Sequence, residues 1–413
     1  MKVLIVSQHF WPEDMRINNV AADLVKIGVH VEVLTGQPNY PEGRVFPGYR
    51  ARLWRRQVHD GIFVTRLPIV PRGPGGAIRL VLNYLSFVVS GFLLAPWLLR
   101  KSRYDIIFVY ATSPLLQAIP AIFLARVRRV PIILWVQDLW PESLVVTGYV
   151  RNRHILAAVS ALVRWIYRAC NIVLVQSDAM VAEVVVMAGS TPVRVYPNPG
   201  DDLDDAVLSP APKLSAGFNV VFAGNLGAAQ ALDSVIEAAA LILDTPAINF
   251  VFAGSGSRAA WLADTISKRG LTNCVMLGRL PTTAMPRLFD QAGVLLASLV
   301  PGQAMSKTVP SKIQSYLAAG KPIIAALDGE AARIVRLAGA GLVARAGSAL
   351  DLATAVRRLY GMTPGERGEF GKAGRAFYEA EYAAAVLTPR LLTVFDDAIT
   401  RGARYQRRSR GSR

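Results

Sequence analysis

The residue pair best suited to bind an anion lies in the segment "VPSKIQSYLAAGKPII", which runs from Val309 to Ile324. We predict that Ser311 caps a helix and that Lys312 occupies its first turn. A cation at that position opposes the helix dipole, and a bound phosphate would reverse the penalty. We therefore interpret Lys312 as a phosphate-binding residue. The alternative is that its side chain simply extends into solvent.

Two glycine-containing turns point to a ligand of the same kind. The segments "VVFAGNLGAAQALDSVIEAA" and "FAGSGSRAAWL" each predict a strand, a tight turn and a helix. Glycines in such a turn allow backbone amides to approach a diphosphate at the start of the helix. Either turn alone is a weak signal, but together they favour a nucleotide. The turn residues are Gly224, Asn225 and Gly227 in the first segment and Gly254, Gly256 and Ser257 in the second.

The elements that must position these residues follow from an alternation of apolar strands and helices. Continuous apolar runs such as "KVLIVS", "YDIIFVYATS", "FNVVFAG" and "VLLASL" are typical of parallel strands covered on both faces. The pattern predicts an α/β protein with two doubly wound, Rossmann-like domains that face a central cleft. A length of 413 residues is sufficient for two such cores.

A segment dense in Pro, Gly, Asp and Ser separates the two predicted domains. We assign residues 1–196 to an N-terminal domain, 197–217 to a linker and 218–385 to a C-terminal domain. Residues 386–413 are assigned to a helix that could return to the N-terminal domain and to a basic tail. The linker contains Asp202 and Asp204, an Asp-x-Asp pair of the kind that can hold a metal–nucleotide complex. Because the pair lies in a linker, we interpret it as a solvated acidic turn.

The number of cysteines and the N-terminal segment indicate the cellular compartment. Cys170 and Cys274 are too few and too far apart for a metal cluster or a disulfide framework, which fits a reducing cytoplasm. The N-terminal segment "MKVLIVSQHF" continues into Pro12 and Glu13 without a small-residue cleavage site, so we expect a buried first strand and no signal peptide.

The net charge of +17 is unevenly distributed. Eight arginines lie between Arg44 and Leu80, against the single acid Asp60, and six arginines follow Asp397. Such clusters favour binding to nucleic acid or to an anionic membrane surface. A merely solvated surface is the third interpretation, particularly for the tail.

The twenty residues from Leu80 to Leu99 carry no charge and are long enough to cross a bilayer. A crossing would place the strands near Val3 and Ile106 on opposite sides of the membrane, although both are predicted to share one sheet. We therefore expect a helical hairpin that packs on the N-terminal domain and partly enters the membrane interface. The neighbouring arginines, Arg79, Arg100 and Arg103, suit anionic headgroups.

Several segments, taken in order, make the chain resemble a family 4 glycosyltransferase of the GT-B fold, of the WbuB and WcaI type that builds bacterial polysaccharides. The resemblance extends over almost the whole chain and is carried by "QHFWPEDMRINNVAADLVKIGVHVEVLTGQPNYPEGRVFPGYR", "VQDLWPESL", "FAGNLGAAQALDSVIEAA", "VPSKIQSYLAAGKPIIAALDGEAARIV" and "AGAGLVARAGSALDLATAV". It implies transfer of a sugar from a nucleotide-sugar with retention of anomeric configuration. The second domain would bind the nucleotide, the first would bind the acceptor, and no metal or other cofactor would be required.

The sequence departs from the family pattern in the donor site. Many members carry two glutamates that correspond here to Lys307 and Ser315, so Ser315 stands where a glutamate would usually hold the ribose. An arginine and a lysine that often neutralise the diphosphate correspond to Asn225 and Gln230. These departures imply that Lys312 carries more of the phosphate binding. Glu330, the nearest remaining acid, is also expected to contact the donor.

Candidate catalytic groups lie in the first domain. The resemblance places Asp138, in "WVQDLWPES", where relatives carry an acid near the reacting sugar. Its carboxylate could orient the acceptor hydroxyl or stabilise a cationic transition state, and the alternative is a turn or helix cap. His9 and Glu13 lie on the first loop, where His9 could relay a proton or serve only structure.

We therefore expect a retaining, metal-independent hexosyl- or aminohexosyltransferase of surface-polysaccharide synthesis. Its partners would be a nucleotide-sugar, a polyprenyl-diphosphate-linked glycan acceptor and an anionic membrane, and it would lie on the cytoplasmic face of that membrane. One alternative is a nucleotide-sugar epimerase or hydrolase on the same fold. The other is a basic nucleic-acid-binding protein, for which the sequence contains no recognition signature beyond its charge.

Overall fold

The computed structural model describes residues 1–73, 76–113, 115–146, 152–200 and 208–411. The chain divides into two compact units. Unit 1 comprises Met1–Pro197 and Leu387–Arg413, and unit 2 comprises Asn198–Val386. Asp202 and Asp204, with the metal role considered for them, lie outside the described residues.

Unit 1 is built on an eight-stranded sheet with the order β3-β4-β2-β1-β5-β6-β7-β8. All neighbouring strands are parallel except β3, which pairs antiparallel with β4. Buried Val, Ile and Leu side chains on the central strands explain the parallel arrangement, since both faces of such a sheet must be covered. The strands are β1 (Lys2–Val6), β2 (His30–Gly36), β3 (Arg55–His59), β4 (Ile62–Leu67), β5 (Ile106–Ala111), β6 (Ile132–Val136), β7 (Ile172–Val175) and β8 (Val193–Val195).

Helices cover the two faces of this sheet. In chain order they are α1 (Arg16–Lys26), α2 (Ala77–Leu98), α3 (Ala118–Arg128), α4 (Glu142–Val146), α5 (Arg153–Arg168) and α6 (Asp178–Ala188). A short 3-10 turn, Leu115–Gln117, precedes α3. One apolar core contains residues of α2, α3, α5 and α6, and the other contains residues of α1.

Unit 2 repeats the architecture with a six-stranded parallel sheet of order β11-β10-β9-β12-β13-β14. Its strands are β9 (Phe218–Ala223), β10 (Ile248–Ala253), β11 (Cys274–Gly278), β12 (Val294–Ser298), β13 (Ile323–Ala326) and β14 (Gly341–Ala344). Its helices are α7 (Leu232–Leu241), α8 (Ala259–Lys268), α9 (Met285–Asp290), α10 (Gln303–Lys307), α11 (Lys312–Ala318), α12 (Glu330–Leu337), α13 (Ala349–Tyr360) and α14 (Pro364–Glu381). Short 3-10 turns lie at Ala228–Gln230 and Thr282–Ala284. Apolar cores lie on both faces.

The last helix, α15 (Ala384–Gly411), contributes to the core of unit 1. Phe395 is fully buried, and its ring lies 5.4 Å from that of Phe108 on β5. Arg194 on β8 forms an ion pair with Asp397. The C-terminal helix therefore completes one face of the N-terminal sheet.

One local prediction is corrected by the structure, and two further features were not predicted. The expected hairpin at Leu80–Leu99 is one continuous helix, α2, which contains Pro96 in its last turn. The last residues of the expected linker pack on unit 2, where Leu214 donates its backbone N–H to the Gln291 side chain over 2.9 Å. The basic segment after Arg44 also forms the β3–β4 pair, which the apolar pattern did not predict because β3 is polar and largely exposed.

Candidate functional site

The Lys312 ammonium lies at the carboxyl ends of β9 and β12 in unit 2. Its Nζ donates to Gln230 Oε1 over 2.8 Å and stands 3.7 Å from the centre of the Phe222 ring. A Cβ placed on Gly224 would lie 3.7 Å from the same nitrogen. No carboxylate pairs with this ammonium in the part of the chain that the structure describes. The site is therefore a cation that contacts an amide oxygen and an aromatic face, and a bound anion would balance its charge.

The electrostatic state of Lys312 follows from this enclosure. The residue as a whole is partly buried, but its charged end is enclosed by protein. Desolvation disfavours the charged form and lowers the pKa of Lys312 to about 7. A diphosphate next to the ammonium would favour the charged form again, because opposite charges attract strongly where water is excluded.

Helix α11 is fixed by Tyr316, which sequence reasoning missed. The Ala223 backbone N–H donates to Tyr316 Oη over 3.0 Å, and Tyr316 Oη can donate to the Leu296 carbonyl over 3.3 Å. This hydroxyl ties α11 to the ends of β9 and β12. It therefore holds Lys312, one turn earlier on α11, beside the first glycine turn.

The two predicted serines have local contacts. Ser311 precedes α11 in a right-handed helical conformation and makes no side-chain cap hydrogen bond, so the predicted capping role is wrong. A capping side chain requires an extended backbone at its own residue, which Ser311 lacks. Ser315 Oγ donates to the Ser311 carbonyl over 3.4 Å. Glu330, at the start of α12, is buried and pairs with Arg333 over 2.7 Å.

The two glycine turns contact each other closely. Leu226 donates its backbone N–H to the Ser255 carbonyl over 2.8 Å, and Arg258 donates to the Leu226 carbonyl over 2.9 Å. A Cβ on Gly254 would lie 1.8 Å from the Gly224 carbonyl oxygen, and a Cβ on Gly256 would lie 2.5 Å from Asn225 Oδ1. These two glycines are therefore required by loop packing whether or not a ligand is bound. Gly227 and Ser257 belong to the same paired turns.

Gln230 is the second feature that sequence reasoning did not place in the site. Its backbone carbonyl accepts a 2.7 Å hydrogen bond from Ser298 Oγ, which fixes the 3-10 turn before α7. Its side chain then reaches Lys312 Nζ. The only sequence signal was that Gln230 replaces a basic residue common in relatives.

In unit 1, His9 and Glu13 form a buried pair on the loop after β1. His9 Nδ1 lies 2.9 Å from Glu13 Oε1. A carboxylate only accepts, so Nδ1 carries the proton of this hydrogen bond. His9 is 4% exposed, and Nε2 has no hydrogen-bond partner among the described residues. Glu13 thus holds the His9 ring in a fixed orientation with Nε2 on the opposite side from the carboxylate.

Glu13 is also a structural anchor. Its Oε1 accepts backbone N–H groups from Asn39 at 2.8 Å and Tyr40 at 2.7 Å, and its Oε2 accepts from Phe10 at 3.2 Å. The fully buried Arg66 donates to the carbonyls of Gly36 and Trp11. Burial lowers the pKa of Arg66 to about 10, and the charges of Tyr49 and Glu13 oppose that shift. Glu13 therefore orients His9 from a fixed position, with little of its carboxylate available to a substrate.

Asp138 follows β6 and is partly buried. Its Oδ2 accepts the Ser113 backbone N–H over 3.0 Å, and Trp140 Nε1 donates to Ser113 Oγ over 2.9 Å. Asp138 thus fixes the turn after β5, as the structural interpretation predicts. Its Oδ1 makes no hydrogen bond within the described ranges, so one carboxylate oxygen is available to a ligand.

A row of buried amides follows the strand ends of unit 1 and was not predicted. Gln8 donates its backbone N–H to Gln117 Oε1 over 2.6 Å and its Nε2 to Asn83 Oδ1 over 2.7 Å. Gln8 Oε1 and Gln137 Nε2 have no partners among the described residues. Such orphaned polar atoms at the carboxyl edge of a parallel sheet are suited to a hydroxylated ligand.

Nothing in the described residues forms a group of three or more His, Cys, Asp or Glu side chains arranged to hold a metal ion. Both cysteines are free thiols, and burial raises the pKa of Cys170 and of Cys274 to about 12. The arrangement in unit 2 places the Lys312 ammonium beside the two hydrogen-bonded turns.

Both halves of the chain match models of known protein families. Residues 14–199 match the family model described as "Glycosyl transferase 4-like domain", and residues 217–362 match "Glycosyl transferases group 1". The chain is 26% identical over 340 residues to WcaI of Escherichia coli (strain K12), whose name provisionally assigns it as a colanic acid biosynthesis glycosyl transferase. That match covers 78% of this chain and 82% of WcaI.

Solved structures share the fold across nearly the whole chain. Sucrose-phosphate synthase from Thermosynechococcus elongatus superposes with a TM-score of 0.72 at 16% identity, covering 97% of this chain and 99% of that one. HepE of Anabaena, in complex with UDP and glucose, gives a TM-score of 0.67 at 13% identity, covering 96% of this chain and 100% of that one. At these identities the likeness shows a common fold.

Proposed function

We propose that this chain, which belongs to the GT4-like bacterial glycosyltransferases of the GT-B fold, transfers a sugar from a nucleotide-sugar to a lipid-linked glycan. The two family models and the match to WcaI confirm the family and the enzyme class that were predicted from the sequence. The observation that carries the specific proposal is the Lys312 ammonium, enclosed beside Gln230 and the Gly224 turn without a carboxylate partner in the described structure. The diphosphate of a donor would supply the missing negative charge.

The reaction breaks the bond between the anomeric carbon and a phosphate oxygen of the donor. A bond forms from that carbon to the acceptor hydroxyl oxygen, on the same face of the sugar, so anomeric configuration is retained. The hydroxyl proton leaves with the nucleoside diphosphate or passes through His9 Nε2. Lys312 balances the charge that develops on the leaving phosphate, which accelerates the reaction if this contact strengthens in the transition state.

In this proposal no metal ion is required. The leaving diphosphate is neutralised by Lys312 and by backbone N–H groups of the turns at Gly224 and Gly254. The Oδ1 of Asp138, the oxygen that does not accept from Ser113, would orient the acceptor hydroxyl or stabilise the positive charge on the sugar in the transition state. Glu13 would act on the substrate only through His9, as a positioning residue.

The donor and acceptor are proposed from relatives. The HepE structure contains UDP, so a UDP-sugar is the first donor to test. The name of WcaI refers to colanic acid, an association that supports a role in surface polysaccharide, whether O-antigen, capsule or exopolysaccharide. We propose a polyprenyl-diphosphate-linked sugar as acceptor and the cytoplasmic face of the membrane as the location of the enzyme.

The test is a transfer assay on purified full-length protein. A panel of UDP- and GDP-sugars would be offered with a synthetic polyprenyl-diphosphate-linked sugar, with and without EDTA. We expect product whose new anomeric centre has the donor's configuration by NMR, and an unchanged rate in EDTA. Inversion would refute the retaining mechanism, and loss of activity in EDTA that a divalent cation restores would refute metal independence.

A donor converted without an acceptor would indicate an epimerase or hydrolase. Salt-sensitive DNA binding without nucleotide-sugar binding would indicate a nucleic-acid-binding protein.

A further inference from the structure

The outward face of α2 is an apolar stripe that the described residues of unit 1 leave largely exposed. Residues four apart on a helix are neighbours on its surface, so Val81, Leu85, Val89, Leu93 and Trp97 form a continuous row that winds gradually around α2. Their side chains are between 46% and 72% exposed, and Ile78 at one end is 78% exposed. One turn of exposed apolar residues is ordinary, but a row over the whole helix is typical of an interaction surface.

The opposite face of α2 is locked into unit 1. Asn83 is fully buried, accepts from Gln8 and donates to the Val70 carbonyl over 2.6 Å. Ser90 Oγ donates to the Pro68 carbonyl over 2.7 Å. Phe87 is buried in the core that contains β1 and β5. By length and composition the helix could cross a membrane, but a crossing would break these contacts, so the exposed row can be covered only from outside.

Aromatic and basic residues gather at the C-terminal end of the stripe. The Trp54 and Trp97 rings meet edge to face with their centres 6.1 Å apart. The Arg100 guanidinium lies 4.8 Å from the centre of the Trp97 ring, and Arg56 donates to the Leu98 carbonyl. Tryptophan and arginine are the residues that favour the boundary between lipid chains and headgroups.

The charge around the stripe has one sign. Between residues 44 and 103 the sequence contains a single acid, Asp60. The basic side chains of this segment that are exposed are Arg44, Arg50, Arg52, Arg55, Arg56, Arg79, Arg100, Lys101 and Arg103. Arg66, counted with the basic segment in the sequence, is buried and contributes no surface charge. The surface is therefore complementary to a negatively charged partner.

We propose that the outer face of α2 lies in the plane of an anionic lipid bilayer, with its apolar row inserted and its tryptophan–arginine end at the headgroups. In-plane helices of this kind bury one face at the boundary of headgroups and acyl chains. A second copy of the chain is a poorer occupant, because a two-fold contact would bring the same cationic surface against itself. The proposal rests on the proposed function only in that a lipid-linked acceptor requires the enzyme to reach a membrane.

Flotation of the full-length protein tests the surface without any donor or acceptor. Vesicles of phosphatidylcholine alone would be compared with vesicles that also contain phosphatidylglycerol. We expect flotation with the anionic vesicles at low salt, and retention of a substantial fraction in 0.5 M salt. Salt screens the arginines but not the buried apolar area. Complete release by salt, or no binding to anionic vesicles, would overturn the proposal.

Substitutions on the exposed row provide the matched comparison. Replacing Leu85, Val89 and Leu93 together by glutamate (L85E, V89E and L93E) should lower the partition coefficient by at least about tenfold, because buried apolar contact is lost. The control is Val186→Glu on α6, which adds a glutamate at an exposed valine of unit 1 away from α2. An unchanged melting transition of unit 1, the unit that contains α2, would show that the triple variant is folded. Flotation equal to the wild type would refute the insertion of α2.

Quenching of tryptophan fluorescence by lipid tests the same surface in the wild-type protein, without relying on the glutamate variant. Lipids brominated near the headgroup should quench part of the tryptophan fluorescence, and the Trp54→Phe, Trp97→Phe protein should lose most of that quenching. Quenching that persists in the double variant would place the membrane contact elsewhere. A stable dimer in solution that the L85E, V89E and L93E variant abolishes would assign the stripe to a second copy. Neither result would affect the proposed donor site, which is measured separately by nucleotide binding.

Discussion

At the scale of single residues, a substitution of the enclosed Lys312 distinguishes a role in donor binding from a structural role. Lys312→Met keeps the chain length and removes a desolvated charge, so the ligand-free protein should melt at the same or a higher temperature. Affinity for UDP should fall by about 1.5–3 kcal/mol, because a charge-assisted hydrogen bond to the diphosphate is lost. Calorimetric titration measures the affinity. Lys321→Met is the control, since Lys321 Nζ makes a solvent-exposed hydrogen bond to the Asp290 carbonyl over 2.8 Å. Unchanged UDP affinity would remove Lys312 from the site.

The same residue predicts a pH dependence. Since the pKa of Lys312 is about 7 without ligand, the side chain is mostly neutral at pH 8 and must gain a proton to pair with a diphosphate. UDP binding at pH 8 should therefore take up close to one proton, and affinity should fall as pH rises from 7 to 9. Titration in buffers of different ionisation enthalpy measures the uptake. Proton uptake that persists in Lys312→Met would assign the effect to another group.

Asp138 has two possible roles that two substitutions distinguish. Asp138→Asn keeps an oxygen that can accept the Ser113 N–H but removes the charge, whereas Asp138→Ala removes both. If the charge acts in the transition state, both variants should lose turnover and retain donor affinity. If Asp138 only fixes the turn, Asn should be nearly normal and Ala alone should lower the melting temperature. Steady-state kinetics and thermal unfolding of the two variants decide between these roles.

At the scale of elements, the two glycine turns of unit 2 form one packed structure. In Gly254→Ala the new Cβ would meet the Gly224 carbonyl, so the turns must separate, at a cost of about 1–3 kcal/mol. We expect a lower melting temperature and weaker UDP binding together. Gly368→Ala in α14 is the control, because its Cβ meets open space and alanine favours a helix. Normal UDP binding by Gly254→Ala would show that the turn geometry is not required by the donor.

At the scale of the whole molecule, each unit has its own cores, and α15 belongs to the core of unit 1. Phe395→Ala should destabilise unit 1 by about 3–5 kcal/mol, because a fully buried ring is removed. UDP should raise only the transition of unit 2, which contains Lys312. Differential scanning calorimetry with and without UDP measures both effects, and the exposed Asp396→Ala is the control. A UDP-dependent rise confined to the transition that Phe395→Ala lowers would place the nucleotide in unit 1.

The sequence alone determined the two parallel sheets, because strands buried on both faces appear as uninterrupted apolar runs. It also indicated that the strand ends around Gly224, Gly254 and Lys312 form a site, since parallel strands place their carboxyl ends at one edge. The polar strand β3 escaped prediction, because its side chains are largely exposed and carry no apolar pattern. The helix α2 was recognised as apolar, but its single continuous form depended on packing against β4 and α3.

Only the tertiary structure decided what individual side chains do. Gln230 lies 82 residues from its partner Lys312, and Tyr316 lies 93 residues from Ala223, so no local pattern identified these contacts. Glu13 became an anchor because the backbone of Asn39 and Tyr40 folds onto its carboxylate. The enclosure that lowers the Lys312 pKa likewise arises from neighbours on β9 and the following turn. Apolar periodicity is a local property that a sequence records, whereas desolvation and hydrogen-bond partners depend on which segments meet in space.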